Sequence, residues 1–184
     1  MKISILTGSM RPNSITFRVG LFLEKHLSTA TGHNINLIDI RKHPFPPIQY
    51  IVSKLPSPSE DMKKLSEQLH QSDALIFVSP EYNGSYSPIL KNAIDHFDKI
   101  AYARKAIGIV TASEGAMGGI RAALQLQHLV CALFAIPAPQ MLTVPQVEKK
   151  FSPEGELIEV TYQPAIDRFT RDFIWLAESL YKNK

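Results

Sequence analysis

The chain has 184 residues, 45% hydrophobic and 20% charged, with a formal net charge of +3. That is the composition of a soluble globular protein with a sizeable core, and the length suits one domain over residues 1–184. The basic residues are scattered, with no run of five or six, which argues against a nucleic-acid partner. A single cysteine, Cys131, excludes an intramolecular disulfide and a CxxC pair. Its apolar setting, Leu129 to Phe134, predicts a buried, inert thiol. The apolar start Met1–Leu6 is too short for a signal peptide, and no segment is long enough to span a bilayer. The expected address is the cytoplasm, with no membrane partner.

In chain order, Ile3 to Thr7 reads as a buried strand. Ile15, Val19, Phe22, Leu23 and Leu27 follow at helical spacing, with Asn13 or Ser14 as N-cap. Ile35 to Ile40 is a second strand. Five prolines between His43 and Pro58 predict an ordered, extended loop. Pro58-Ser59-Glu60-Asp61 then opens a helix through Leu65 and Leu69. Ala74 to Val78 is a third strand, Ile89 to Phe97 a helix, Ala106 to Thr111 a fourth strand, and Ile120 to Phe134 a long helix. Pro139 to Val144 is a fifth strand. Phe151 to Gly155 reads as a surface turn, and Ile166 to Leu180 as the last helix.

Buried strands alternating with helices imply right-handed crossovers and a parallel sheet covered on both faces. The expected class is α/β, flavodoxin-like, with five strands in the order 2-1-3-4-5. Two helices carry more apolar residues than one buried stripe needs. These are Ile89, Leu90, Ala93, Ile94 and Phe97 in one, and Leu124, Leu126, Leu129, Val130, Leu133 and Phe134 in the other. The excess predicts burial against another copy of the chain, with a deeply buried helix within one chain as the alternative.

Three loops follow the first, third and fourth strands, and so meet at the carboxyl edge of the sheet, where open α/β sheets bind ligands. Gly8 to Thr16 offers the hydroxyls of Ser9, Ser14 and Thr16, the Arg11 guanidinium and free amides at a helix start. That set suits a phosphomonoester, although an ordinary turn and N-cap would use the same residues. Ser79 to Tyr86 places an aromatic ring and several amides on one turn, in which Asn83-Gly84 supplies positive φ. Thr111 to Gly119 has three glycines in five residues, which lets backbone approach a ligand. Phosphate at the first loop and a planar ring against the other two is the arrangement of a flavin mononucleotide. The six histidines show no HxxxH or HExxH spacing, so no metal site is expected. His96 and His128 are expected at the surface or an interface.

Gly8-Ser9-x-Arg11-x-x-Ser14, Ser79-Pro80-Glu81-Tyr82-Asn83-x-Ser85, Leu90-Lys91-Asn92-Ala93-Ile94-Asp95 and Gly118-Gly119-x-Arg121 resemble the NADPH-dependent FMN reductase family. That family includes flavin, azo, quinone and chromate reductases. The resemblance implies a flavodoxin-like fold, bound FMN, NADPH or NADH as co-substrate, and homodimers or homotetramers. It implies that Ser9, Arg11, Ser14, Ile15 and Thr16 hold the phosphate end. Pro80, Glu81, Tyr82, Asn83 and Gly84 would line the ring and ribityl chain, and Ser113 and Gly115 would close the other edge. Thr16 stands where many relatives have Asn, and Ser85-Tyr86-Ser87-Pro88 varies the usual Ser-x-Pro-Gly.

The activity implied is hydride transfer from NADPH to FMN and then to a small-molecule acceptor, a quinone, flavin, azo compound or metal oxyanion, by a ping-pong mechanism. No protein residue is expected to be catalytic, because the flavin N5 carries the chemistry. Amides of Asn83, Gly84 and the Ser113 loop are expected to stabilise charge on the reduced ring. A lone carboxylate such as Glu81 reads as support for its loop, or as a contact to a partner subunit, rather than as a general acid. The alternative is a flavodoxin-like electron carrier without NAD(P)H turnover.

Overall fold

Strand β1 (Lys2–Thr7) is buried beyond its first residue, as the unbroken apolar run requires of a central parallel strand. In the computed structural model, which describes residues 1–43 and 45–183, it is followed by helix α1 (Ile15–Thr31) and strand β2 (Asn34–Asp39). Then come helix α2 (Glu60–Gln71), strands β3 (Ala74–Tyr82) and β4 (Ser85–Tyr86), and helix α3 (Pro88–Asp95). Strand β5 (Ala106–Ala112), helix α4 (Ile120–Ala132), strands β6 (Ile136–Pro137) and β7 (Leu142–Val144), helix α5 (Val147–Lys150) and helix α6 (Gln163–Lys182) complete the chain. The sheet runs β2-β1-β3-β5-β6, with β7 also paired to β5. All these pairings are parallel, and β4 adds an antiparallel hairpin to β3. The flavodoxin-like order expected from the sequence is therefore present.

Side-chain alternation splits the core into two layers. Leu6, Leu75, Phe77, Ile107 and Ile109 face α2, α3 and α4. Ile3, Ile5, Ile76, Val78 and Val110 face α1 and α6. The helix starts follow the sequence signals. Ser14, Ser59 and Ser87 cap α1, α2 and α3 by accepting the N–H groups of Phe17, Met62 and Leu90.

Several expectations are corrected. The third strand does not end at Val78: it continues to Tyr82, pairs Glu81 with Tyr86, and turns back through Asn83 and Gly84 alone. Both turn residues have positive φ, 51° and 82°, which an Asn-Gly pair accepts readily. The fifth strand does not run from Pro139. Its place is shared by β6, beside Ala106 and Ile107, and β7, beside Val110 to Ala112. Pro137 and Pro139 lack the N–H that a continuous ladder needs. Helix α4 stops at Ala132 because Phe134 takes φ 58°.

The apolar side of α3 is used within the chain, where Leu90, Ala93, Ile94 and Phe97 are all buried, so it needs no second subunit. Cys131 is exposed, not buried. It follows Leu124 by seven residues on a helix whose Ala123, Leu126 and Val130 face the sheet. His96 is also reversed, being buried rather than at the surface. Phe151 is sealed, bridged to Leu157 and in tilted ring contact with Phe22, and Gly155 lies close against Leu21 and Phe22, so the turn after it is packed onto α1. In the Pro-rich loop, Val52–Lys54 form a single 3-10 turn and Asn92 bonds Ile48 N and Pro46 O; Pro44 lies outside the described residues. Among the described residues no helix is long and apolar enough to cross a membrane.

Candidate functional site

The register aligns Thr7 with Val78 and Val78 with Val110, so the loops after β1, β3 and β5 leave the sheet side by side. Between them lies a cavity of about 200 Å3, lined by Pro80, Ala112, Ser9, Thr16, Tyr82 and Ser113. A wider open depression of about 990 Å3 adjoins it, with Asn83, Tyr86, Pro88 and Lys91 in its walls. Arg11, Glu81 and Tyr82 border both hollows.

At the inner end, Ser9 is 4% and Thr16 1% exposed, yet neither hydroxyl bonds another described residue. Polar groups of buried residues are normally paired, so two unpaired hydroxyls on residues that line one cavity mark the place of an external acceptor or donor. Ile15 and Thr16 open α1, where no preceding helical carbonyl takes their N–H groups. This end therefore offers hydroxyls, amide donors and the positive end of a helix dipole. Ser14 takes the N-cap place that the sequence offered it. Its Oγ accepts Phe17 N at 3.1 Å, and its side chain lines a separate hollow on the flank of α1. The Arg11 guanidinium lies 5.1 Å from the centre of the Tyr82 ring, at the junction of the two hollows.

The loop bearing Arg11 is braced from a strand that the sequence reading left out of the site. Arg41 forks onto Asp39 at 2.8 to 3.2 Å and donates to the Pro12 carbonyl at 2.9 Å. Burial alone would raise the Asp39 carboxyl, but the Arg41 hydrogen bonds and charge outweigh it and hold the carboxyl below its usual value. The signal was present as Asp39-Ile40-Arg41, since the second strand ends at the same sheet edge.

The hairpin is held just as firmly. Ser79 Oγ accepts Ser87 N at 3.0 Å, and Ser87 Oγ donates to the Gly8 carbonyl at 2.5 Å, joining two of the three loops. Gln125 on α4 accepts from Ser85 and donates to the Gly84 carbonyl. Glu81 Oε2 accepts the N–H groups of Arg121 and Ala122, at 3.1 and 3.3 Å. Helix α4 begins after Gly119, which has no side chain to cap with, so Glu81 caps it from the neighbouring strand. Burial raises the Tyr86 hydroxyl above its ordinary value, so it stays protonated in the depression.

Ser9, Arg11, Ile15, Thr16, Pro80, Glu81, Tyr82 and Ser113 thus meet around one cavity, and Asn83 lines the depression beside it. Ser14, Gly84 and Gly115 stand outside both linings. The Ser113 N–H is engaged with Val144 O and the Gly115 N–H with Ser113 Oγ, so these two amides are not free to stabilise a ring. Asn13 and Glu114 line the inner cavity and were missed, because nothing in their local pattern separates them from ordinary loop residues. Among the described residues no group of three or more His, Cys, Asp or Glu is placed to hold a metal ion.

A parallel sheet in this order, with donors for an anion at its switch point and a flat-walled hollow beside them, defines a mononucleotide-binding flavodoxin-like protein. The family model for NADPH-dependent FMN reductase matches residues 1–149. The chain is similar to an FMN-dependent NADPH-azoreductase of Staphylococcus aureus, 32% identical over 149 residues that cover 77% of this chain and 76% of that protein. Among solved structures it superposes on FerB, a flavoenzyme NAD(P)H:(acceptor) oxidoreductase from Paracoccus denitrificans. That match has a TM-score of 0.83 and 19% identity, over 97% of each chain. It also superposes on an NADH:FMN oxidoreductase called EMOB, with a TM-score of 0.72 and 16% identity, over 97% of this chain and 89% of that one. These two likenesses are of fold. The chain belongs to the NADPH-dependent FMN reductase family and is an oxidoreductase of that kind.

Proposed function

We propose that this protein, as a single flavodoxin-like domain, binds FMN in the crevice between the three loops and uses NADPH to reduce a small-molecule acceptor, a quinone, flavin, azo compound or metal oxyanion. The observation that carries the placement is the pair of unpartnered hydroxyls on the buried residues Ser9 and Thr16, which line the cavity at the start of α1. With the first amides of α1 they hold the phosphate. Pro80 and Tyr82 form one wall for the ring, and Ala112 and Ser113 the other. Arg11 closes the mouth over Tyr82.

FMN held by these residues would supply the hydride chemistry that links NADPH to the acceptor in a ping-pong sequence. The protein's part is positioning. Ser79 and Ser87 lock the hairpin to the first loop, Glu81 and Gln125 lock it to α4, and Tyr86 and Lys91 shape the depression that both substrates enter in turn. Glu81 is a positioning residue, since its oxygen already accepts two backbone amides.

The proposal includes a homodimer or homotetramer. Met117, Leu124 and Phe134, on and around α4, are 70%, 49% and 66% exposed, and the exposed Cys131 lies on the same helix. Its setting is the cytoplasm, where NADPH is supplied.

The visible spectrum of purified protein with added FMN, before and after anaerobic NADPH, tests the reading. Bound flavin that bleaches with NADPH is the expected result. A colourless protein that takes up no FMN sinks it, and flavin that binds but turns over no NADPH with quinone would make the protein an electron carrier. Thr16→Val keeps the shape of the side chain and removes its hydroxyl. It is expected to weaken FMN binding by roughly tenfold or more, the size of a lost hydrogen bond to a charged group. Unchanged affinity would refute the phosphate placement.

A further inference from the structure

A second hollow, of about 220 Å3, lies beneath the Pro-rich loop and shares no residue with the flavin crevice. Its walls are Pro46, Pro47, Gln49, Tyr50, Leu55 and His96. Among the described residues no Lys, Arg, Asp or Glu lines it. His96 is 2% exposed and is held by its ring, its carbonyl and its Nδ1. Its ring packs 4.7 Å from that of Phe45, and its carbonyl accepts Val52 N at 2.7 Å. Its Nδ1 lies 2.7 Å from the Asn92 carbonyl. A carbonyl oxygen only accepts, so Nδ1 carries the hydrogen, and in the neutral ring Nε2 is left as a bare acceptor.

Nε2 bonds no described residue. Yet among the described residues Thr170 Oγ1 is the one side-chain polar atom both sealed from solvent and unpartnered. Nε2 therefore reaches the hollow that His96 lines. The loop roofing that hollow is held in place, since Asn92 takes Ile48 N at 2.9 Å and gives to Pro46 O at 2.9 Å. The site is thus preformed and mostly apolar, with the unpartnered Nε2 of His96 as an acceptor that asks for a donor.

We propose that this hollow binds a small hydroxyarene, its ring against Pro46, Pro47, Tyr50 and Leu55 and its O–H donated to His96 Nε2. An apolar cavity of about 150 Å3 already admits a benzene ring, so the volume suffices. The uncharged lining selects against ions, and His96 Nε2, an acceptor alone, bonds an O–H but not an ether or carbonyl oxygen. This inference does not depend on the flavin reading, because the two hollows are separate.

The test is an NMR titration of the full-length protein, with FMN added, following the His96 imidazole nitrogens. Phenol is expected to move the Nε2 resonance saturably, and anisole, which has the ring but no donor, to bind about tenfold more weakly. Leu55→Trp, which fills the hollow from its half-buried wall, is expected to abolish the shift; Pro47→Trp fills it from another wall should the first variant not fold. The proposal is overturned if Nε2 does not move, if anisole matches phenol, or if the shift survives in a folded filled variant. It is equally overturned if phenol alters the flavin absorption band and leaves His96 unmoved.

Discussion

Glu81 shows how one carboxylate can look catalytic in a sequence and prove structural. It borders both hollows, but Oε2 sits on the first turn of α4 with two backbone amides. A cap of this kind contributes about 1 kcal/mol. Glu81→Ala is expected to lower unfolding stability by about that amount in urea titrations. Glu81→Gln keeps an acceptor oxygen and is expected to recover most of it. Neither change should move the pH profile of turnover, and a profile that loses an ionisation in Glu81→Gln would restore a proton-transfer role. The sequence allowed support as the better reading of Glu81. It could not name α4 as the element supported, because the partners lie forty residues away and meet only through the sheet.

At the scale of elements, the loop after β5 is set by backbone clearance. Gly118 and Gly32 both hold positive φ, 60° and 67°, but an added Cβ at Gly118 would lie 2.8 Å from Pro145 N and Thr143 C, while Gly32 has open space. Gly32→Ala is expected to cost about 1 kcal/mol, the left-handed penalty alone. Gly118→Ala should cost clearly more and loosen the Ser113 loop; thermal melts giving equal losses would contradict this account. The turn after β2 is governed by charge instead. A carboxyl whose folded pKa lies below its unfolded value stabilises the fold fully above the unfolded pKa, roughly 4, and loses that contribution as pH falls through the folded value. Asp39 is such a group, held low by Arg41. Wild-type melting temperature is expected to drop steeply below about pH 4. Asp39→Asn should start lower at neutral pH and fall less steeply. Parallel curves would show that the pair contributes nothing. Helix starts were legible because Ser14, Ser59 and Ser87 cap them locally. Strand ends were not, because Val78 to Tyr82 is kept extended by pairing with β4 and β5.

For the whole molecule, the outer side of α4 is the exposed apolar surface on which the oligomer proposal rests. Leu124→Arg is expected to convert a dimer or tetramer to monomer in sedimentation velocity and to speed the reaction of Cys131 with a thiol reagent. A wild-type protein that sediments as a monomer would remove the oligomer proposal. By itself the sequence determined the α/β class, the strand order and the three loops that meet at the switch point. Burial periodicity and turn chemistry are local, and parallel crossovers have one favoured hand. Only the tertiary structure decided which groups those loops leave free. It gave Ser14 to a cap and the Ser113 amide to Val144, left the hydroxyls of Ser9 and Thr16 unpaired, and turned Cys131 outward and His96 inward. Hydrogen-bond partners and exposure are settled by which surfaces pack together across the sheet, and no window of neighbouring residues contains that information.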